Sequence, residues 1–349
     1  MRNILKIAIS YGILAIVTVL ICEIGLRVYN FFYPSPIFYD TSYNRYRGKP
    51  HEMYFRHRLN VHGYNDTEFS VNQDKFRIVG LGDSFAFGVV PYAYNYLTQL
   101  EQKLPGVEVY NMGIPSINPE NYYSVLTKEG MLLNPNLVLV SFFIGNDFEI
   151  PVRRRYTYSY TITLLNYLYS MQGKISSGPG SPDMYCDTCA SFKKKDYLEI
   201  ERNRVDFFSG YVHKNDFSKY AAQSFAALVN IRDWCQENNA KLVVVLLPDE
   251  AQVSRGLQEE IRTMYFSDQK ELPHDLTFGN RWLHEQLTNA GIAYIDLLEP
   301  FRQAALHQTL YKPYDSHWNI AGNTLAAQVL TDSLQKYINA PIPIKPVTY

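Results

Sequence analysis

The stretch Phe76-Arg-Ile-Val-Gly-Leu-Gly-Asp-Ser-Phe-Ala-Phe-Gly88 governs the reading of this chain. Phe76 to Leu81 reads as a buried strand. A turn at Gly82-Asp83-Ser84 follows, and Pro91 opens a helical pattern to about Leu104. A serine at such a junction lies at the carboxyl end of a sheet strand, where open α/β sheets place their sites. It also lies near a helix amino terminus, where N–H groups favour developing negative charge. The same residues equally make an ordinary turn without chemistry. The arrangement is not a Gly-x-Ser-x-Gly elbow, because Ala86 takes the second glycine position.

The other end of the chain adds a base. Asp315-Ser-His-Trp318 follows Tyr-Lys-Pro-Tyr and precedes a helical pattern from about Ile320 to Ile338. A serine nucleophile needs a group to take its proton, and that base needs a partner to fix its tautomer. Asp315 and His317 supply both on one loop. Between the two ends lie Asn111-Met-Gly113 and Gly145-Asn-Asp147, each just after an expected strand. Ser, Gly, Asn and His in this order resemble the SGNH (GDSL-type) hydrolase family over about Phe76 to Ile338. The matching pieces are Gly82-Asp83-Ser84, Gly113, Gly145-Asn146-Asp147 and Asp315-x-His317. The resemblance implies a flavodoxin-like fold with Ser84, His317 and Asp315 as the catalytic set. It also implies an oxyanion hole built from the Ser84 and Gly113 backbone N–H groups and the Asn146 amide. Glycine lets backbone approach closely, and an amide donates without needing a proton. For Asp83 and Asp147 the preferred reading is capping or turn bonds. This set needs no metal and no organic cofactor.

From Phe76 onward strands alternate with helices, the pattern of a three-layer α/β sandwich with a mostly parallel sheet. Five strands are expected: Phe76–Leu81, Val107–Asn111, Leu137–Phe143, Leu242–Leu247 and Ile292–Ile295. The run Leu137–Phe143 is continuously apolar, as burial on both faces requires. Helices are expected at about Pro119–Met131, Asp216–Asn238 and Asn280–Asn289.

Ahead of this domain, Ile7 to Cys22 carries no charge, and Ile24-Gly-Leu26 extends the run beyond Glu23. The result is about twenty residues, enough to cross a bilayer. Tyr29, Phe31, Phe32 and Tyr33 follow as an aromatic belt would. The expectation is a retained transmembrane anchor over residues 1–33 rather than a cleaved signal, for want of a small-x-small cleavage site. Arg2 and Lys6 favour a cytoplasmic amino terminus. The rest of the chain is then extracytoplasmic, periplasmic or at the cell surface. Residues 34–75 read as an irregular juxtamembrane segment with a turn at Gly63-Tyr-Asn-Asp66. His51, His57 and His62 there lack paired ligand spacing. Residues 76–349 read as the SGNH-like domain, interrupted at about 149–215. That insertion is either a lid or substrate-binding element, or a long loop remote from chemistry. Within it, Cys186-Asp-Thr-Cys189 has no second pair to complete a tetrahedral metal site. Outside the cytoplasm a local disulfide is expected, two free thiols being the other outcome. Cys235 is expected buried in a helix.

The balance of 46% hydrophobic and 19% charged residues describes a globular chain, and a net charge of −1 gives no electrostatic case for nucleic acid. The expected function is a serine esterase that hydrolyses O-acyl, in particular O-acetyl, esters on envelope or exported carbohydrate. The carbohydrate part rests on location and on the resemblance. An O-acetyltransferase with the same acyl-Ser84 is the alternative, and a non-catalytic glycan-binding export factor is a third. Net deacylation is favoured over transfer because water is abundant and needs no dedicated site.

Overall fold

The protein is described from a computed structural model, which covers residues 2–33, 38, 48, 50–71, 74–148, 155–172, 184–211 and 214–339. The Gly173–Pro182 loop composition therefore lies outside the described residues. The contacts divide the chain into two compact units. One comprises residues 1–49 and 152–180, the other residues 50–151 and 181–349.

In the first unit, α1 (Arg2–Phe32) carries the apolar run. Residues Ile9–Phe32 are long and apolar enough to cross a membrane. The only other long helix there among the described residues is α5 (Tyr160–Gln172).

The second unit opens with a small hairpin, β1 (Met53–Tyr54) against β2 (His57–Arg58). Its main sheet has five strands: β3 (Phe76–Leu81), β4 (Val107–Asn111), β5 (Leu137–Phe143), β6 (Lys241–Leu247) and β7 (Ala293–Asp296). They lie in the order β4-β3-β5-β6-β7, every neighbouring pair parallel. The strand positions follow from composition. The interior strands β3, β5 and β6 are buried on both faces and so are mostly apolar, with Arg77, Ser141 and Lys241 the polar residues among them.

Strand alternation sorts the core into two layers. Val79, Val138, Val140, Val244 and Leu246 pack on one face, with α4 (Pro119–Lys128), α6 (Lys194–Phe208), α7 (Lys214–Glu237), α9 (Arg255–Tyr265) and α10 (Phe278–Asn289) supplying partners. Ile78, Leu137, Leu139, Val243 and Val245 pack on the other, against α3 (Tyr96–Lys103), the short α8 (Glu250–Val253), α11 (Leu298–Ala305) and α12 (Ile320–Ile338). Adjacent residues such as Ile78 and Val79 thus serve different layers, as the two-residue side-chain period dictates. Each fully buried side chain of this kind contributes about 1.5–3 kcal/mol of transfer free energy. Cys235 on α7 belongs to this core, 1% exposed.

The chain leaves β3 toward α3 on one face, and leaves β5 toward α6 and α7 on the other. The crevice at the carboxyl ends of β3 and β5 is therefore the switch point of the sheet, where such folds bind ligands.

Two local expectations differ in detail. The helix after β3 does not begin at Pro91. A one-turn helix, α2 (Ser84–Phe87), starts at the serine itself, and a 3₁₀ turn covers Tyr92–Tyr94. Helix α3 then begins at Tyr96, because the Asn95 side chain caps it by accepting from the Leu97 N–H. The pattern expected to reach Met131 stops as α-helix at Lys128 and continues as a 3₁₀ turn over Gly130–Leu133.

Candidate active site

Ser84 opens α2, held there by Asp83. The Asp83 carboxylate accepts the Phe85 N–H at 2.9 Å and so caps the turn. The other end of α2 is held by three buried amides. Asn95 Nδ2 donates to the Ala86 and Phe87 carbonyls at 2.9 and 3.1 Å. Asn111 Nδ2 donates to Ala86 O, and Asn65 Nδ2 to Phe87 O, both at 2.8 Å. The last carbonyls of a helix have no partner within it, and burial would make them costly without these donors. Three segments distant in sequence thus fix the position of one serine.

His317 reaches this serine from the loop before α12. Its Nε2 lies 2.7 Å from Ser84 Oγ, and its Nδ1 lies 2.6 Å from Asp315 Oδ1. A carboxylate only accepts, so Nδ1 carries the hydrogen and Nε2 is left to accept from the serine hydroxyl. Asp315 also accepts the His317 N–H at 3.1 Å. Its other oxygen accepts from the Ser191 hydroxyl, and Lys312 Nζ stands 3.4 Å away. Burial by itself would raise the Asp315 pKa. The His317 bond and charge, the Ser191 hydroxyl and the Lys312 charge hold it well below the usual carboxylate range instead.

A cavity of about 420 Å³ opens over these groups, lined by Tyr54, Phe87, Phe143, Asn146, Arg204 and Ser316 as well as Ser84 and His317. Asn146, expected as an oxyanion donor, thus faces the same space as the serine. Its side chain hydrogen-bonds Asp83, and its Oδ1 is buried without a partner among the described residues. Gly113 packs against the nucleophile turn so tightly that a Cβ there would overlap the backbone of Ala86 and Phe87. Its N–H is engaged by Asn111 Oδ1 at 2.9 Å. Gly145 has a similar constraint, since a Cβ would come within 2.5 Å of Asp249 Oδ2 and the Phe143 ring.

Asp83 and Asp147 have structural partners. Asp147 accepts from the Tyr122 hydroxyl at 2.9 and 3.0 Å and from the Phe143 N–H at 2.8 Å. Burial, and then the neighbouring Asp83 charge, push the Asp147 carboxyl well up. Burial likewise raises Asp83.

Arg204, Glu201 and Ser191 were not among the residues expected at the site. Arg204 on α6 enters the cavity, bonds Glu201 at 2.7 Å and donates to Ser316, which itself donates to Glu201 at 2.8 Å. Burial opposes the Arg204 charge, but the Glu201 and Asp249 carboxylates more than restore it. The spacing of Glu201 and Arg204, one helical turn apart, was the only hint. The segment before α6 clasps the histidine loop. Ser191 and Phe192 N–H groups donate to the Pro313 and Tyr314 carbonyls, and Asp187 accepts the Ile320 N–H at 3.1 Å. Cys186 and Cys189 close this clasp as a disulfide. Trp318, beside the histidine, is buried against Phe85, Tyr96 and Phe301. A larger cleft of about 990 Å³, lined by Glu250, Arg255, Glu299 and Arg302, contains no part of the triad. The smaller cavity is the one with a nucleophile and base.

A five-stranded parallel sheet bearing a serine after its first strand, an asparagine after its third and an Asp-x-His loop before its last helix defines the SGNH type. Residues 207–344 match a family model described as "SGNH hydrolase-like domain, acetyltransferase AlgX". That match covers the carboxyl-terminal part of the chain, with Asp315 and His317 inside it and Ser84, Gly113 and Asn146 outside it. Over 117 residues the chain is 27% identical to "Probable alginate O-acetylase AlgJ" of Pseudomonas putida. That match spans 33% of this chain and 27% of the relative's length, so the chain matches about a quarter of that protein. Among solved structures it is similar to a lipolytic G-D-S-L family protein of Veillonella parvula, at 14% identity and a TM-score of 0.36. That comparison covers 73% of this chain and 96% of the other. It is also similar to the acetyl xylan esterase AlAXEase, at 13% identity and a TM-score of 0.39, covering 74% and 99%.

Proposed function

We propose that this chain is a membrane-anchored serine enzyme that moves O-acetyl groups on carbohydrate through an acyl-Ser84 intermediate, with transfer to a sugar hydroxyl as its principal reaction. The observation that carries the acyl-enzyme is the continuous line from Ser84 through His317 to Asp315, at 2.7 and 2.6 Å. Ser84 Oγ attacks the acetyl carbonyl while His317 Nε2 takes its proton and later returns it to the leaving alkoxide. Asp315 holds the imidazole in the required tautomer and balances its charge. Asn146 and the Ser84 N–H stabilise the oxyanion, Asn146 by turning its amide from Asp83 toward the cavity. The Gly113 N–H contributes by sharing its hydrogen between Asn111 and the substrate. The names of the matched family model and relative support acetyl transfer and a carbohydrate acceptor. The apolar helix Ile9–Phe32 supports anchoring, and Arg2 and Lys6 before it favour a catalytic unit outside the cytoplasm.

Hydrolysis is the second reading, and it too has an observation behind it. The His317 side chain remains 25% exposed, so water can reach the base that would activate it. The test supplies an acetyl donor and an unacetylated oligosaccharide to the full chain and follows both products by mass spectrometry. Acetylated oligosaccharide in excess of free acetate is expected. Free acetate alone would turn the assignment to an esterase. A fluorophosphonate probe should label the wild type and not Ser84→Ala. Equal labelling of the two would remove Ser84 as nucleophile.

A further inference from the structure

We infer that α5 is a second membrane element, embedded in the outer leaflet beside the end of α1 and contacting the acyl chains and glycerol region of the lipid. The inference rests on the membrane-anchor reading of α1. Tyr156 to Gln172 contains no charged residue, whereas a helix at a water-facing surface ordinarily carries a charged face. Tyr160 and Thr163 are buried, but Ile162, Leu165, Leu168 and Tyr169 are 50%, 61%, 51% and 77% exposed. The outward side of α5 is therefore uncharged and largely apolar, with Asn166 and two tyrosines as its polar groups.

The junction between the two helices supplies the argument for lipid. Glu23 of α1 accepts the Tyr160 and Thr161 N–H groups at 3.0 and 2.9 Å and the Ser159 hydroxyl at 2.9 Å. Arg27, paired to Glu23, donates to Tyr158 O at 2.8 Å and lies 4.5 Å over the Tyr160 ring. Glu23, Leu26 and Asn30 are the part-buried positions in this stretch of α1, so the contact runs along one stripe. In water neither partner needs the other: hydration satisfies a carboxylate and a helix terminus alike. In lipid both are costly. A charge in a span costs about 2.5–3.5 kcal/mol, and each unpaired N–H costs several more. Glu23 lies nine residues before Phe32, about 14 Å along the helix at 1.5 Å per residue, below the aromatic belt. The carboxylate at that depth and the first turn of α5 satisfy each other.

Length decides how α5 sits. Its 13 residues extend about 20 Å, short of the roughly 30 Å hydrocarbon core, so α5 does not cross. The active site requires the same outcome. Ser84 precedes α5 and His317 follows it, yet they lie 2.7 Å apart, so the chain must enter and leave the membrane on one side.

The test uses the full chain in phosphatidylcholine vesicles, with and without lipids brominated on the acyl chains. Leu168→Trp reports on α5, and Val17→Trp reports on α1. Trp234, Trp282 and Trp318 supply a background that is subtracted. Both reporters should emit as in an apolar medium, lose about half their intensity to brominated lipid and resist aqueous iodide, as burial in hydrocarbon requires. Iodide quenching of Leu168→Trp without bromine quenching would place α5 in water and overturn the inference while leaving the anchor intact. Shielding from both quenchers would mean that protein covers α5, and would overturn it equally. An unquenched Val17→Trp would instead remove the anchor reading itself. Glu23→Leu should cut the bromine quenching of Leu168→Trp about twofold with Val17→Trp unchanged, because α5 loses its cap. Undiminished quenching would overturn the role given to Glu23.

Discussion

Asn146 is the residue whose role is most open to measurement. Among the described residues its Oδ1 is buried without a partner and its amide engages Asp83, so turning an N–H toward the oxyanion breaks that one bond. One oxyanion donor is commonly worth about 10²–10³-fold in turnover. Asn146→Ala should lower kcat by about that factor with little change in KM, since the donor acts on charge that exists only in the transition state. Unchanged kcat in a single-turnover assay would exclude it as a donor. Ser191 belongs to the same scale. It touches Asp315, not the reacting atoms, and is a positioning residue. Ser191→Ala should lower kcat about tenfold with KM unchanged, since a displaced Asp315 leaves the imidazole less well aimed. Ser191→Thr keeps the hydroxyl and should recover most of that loss, which a simple packing defect would not allow. The Asp-x-His pair and the serine were legible in sequence because each motif is local. Ser191 was not, because it lies 124 residues from its partner.

At the scale of elements, the one-turn helix α2 is too short to hold itself. A single turn fixes several dihedrals for very few internal bonds, and such nuclei are unstable alone. Its stability comes from Asn65, Asn95 and Asn111, each buried. Asn95 also caps α3. Asn95→Ala should therefore cost about 1–3 kcal/mol, a lost cap plus two hydrogen bonds to carbonyls that each keep one other donor, Asn111 or Asn65. Urea denaturation of the two proteins reads this directly, and a loss under about 0.5 kcal/mol would refute the account. The boundaries of α2 and α3 escaped the sequence reading for the same reason. Pro91 looked like a helix start, but the capping side chain was Asn95.

The whole molecule adds a pH dependence. Asp66 lies in the irregular segment yet is buried under the Asn111 loop, accepting its N–H at 2.7 Å. Burial, against the pull of its hydrogen bonds, pushes its carboxyl up to about 7 from the usual 3.8. The folded state thus holds a proton that the unfolded state has released. This contribution is full below about pH 4 and is lost as pH rises through about 7. Asp66→Asn has no such proton, and its amide oxygen can still accept from Asn111. The Tm of Asp66→Asn relative to wild type should therefore rise by several degrees from pH 5 to pH 8. Glu250, raised by burial to about 8, affects both proteins alike and cancels in the comparison. A difference that stays flat across this range would show that Asp66 is ionised throughout.

The sequence by itself determined which segments are strands, which helices cover them, and where Ser84, Asn146, Asp315 and His317 fall relative to strand and helix ends. These features are encoded locally: an apolar run buried on both faces, a turn residue after it, an apolar run long enough for a bilayer. Tertiary structure alone decided the strand order that makes a crevice between β3 and β5. It also decided the amides that hold α2, the clasp that seats Asp315, and the Arg204–Glu201–Ser316 brace. The same holds for Glu23, which looked like a blemish in an apolar run and caps a helix 137 residues away. A buried polar group must find a partner, but which partner it finds depends on how the chain crosses itself, and no local pattern records that.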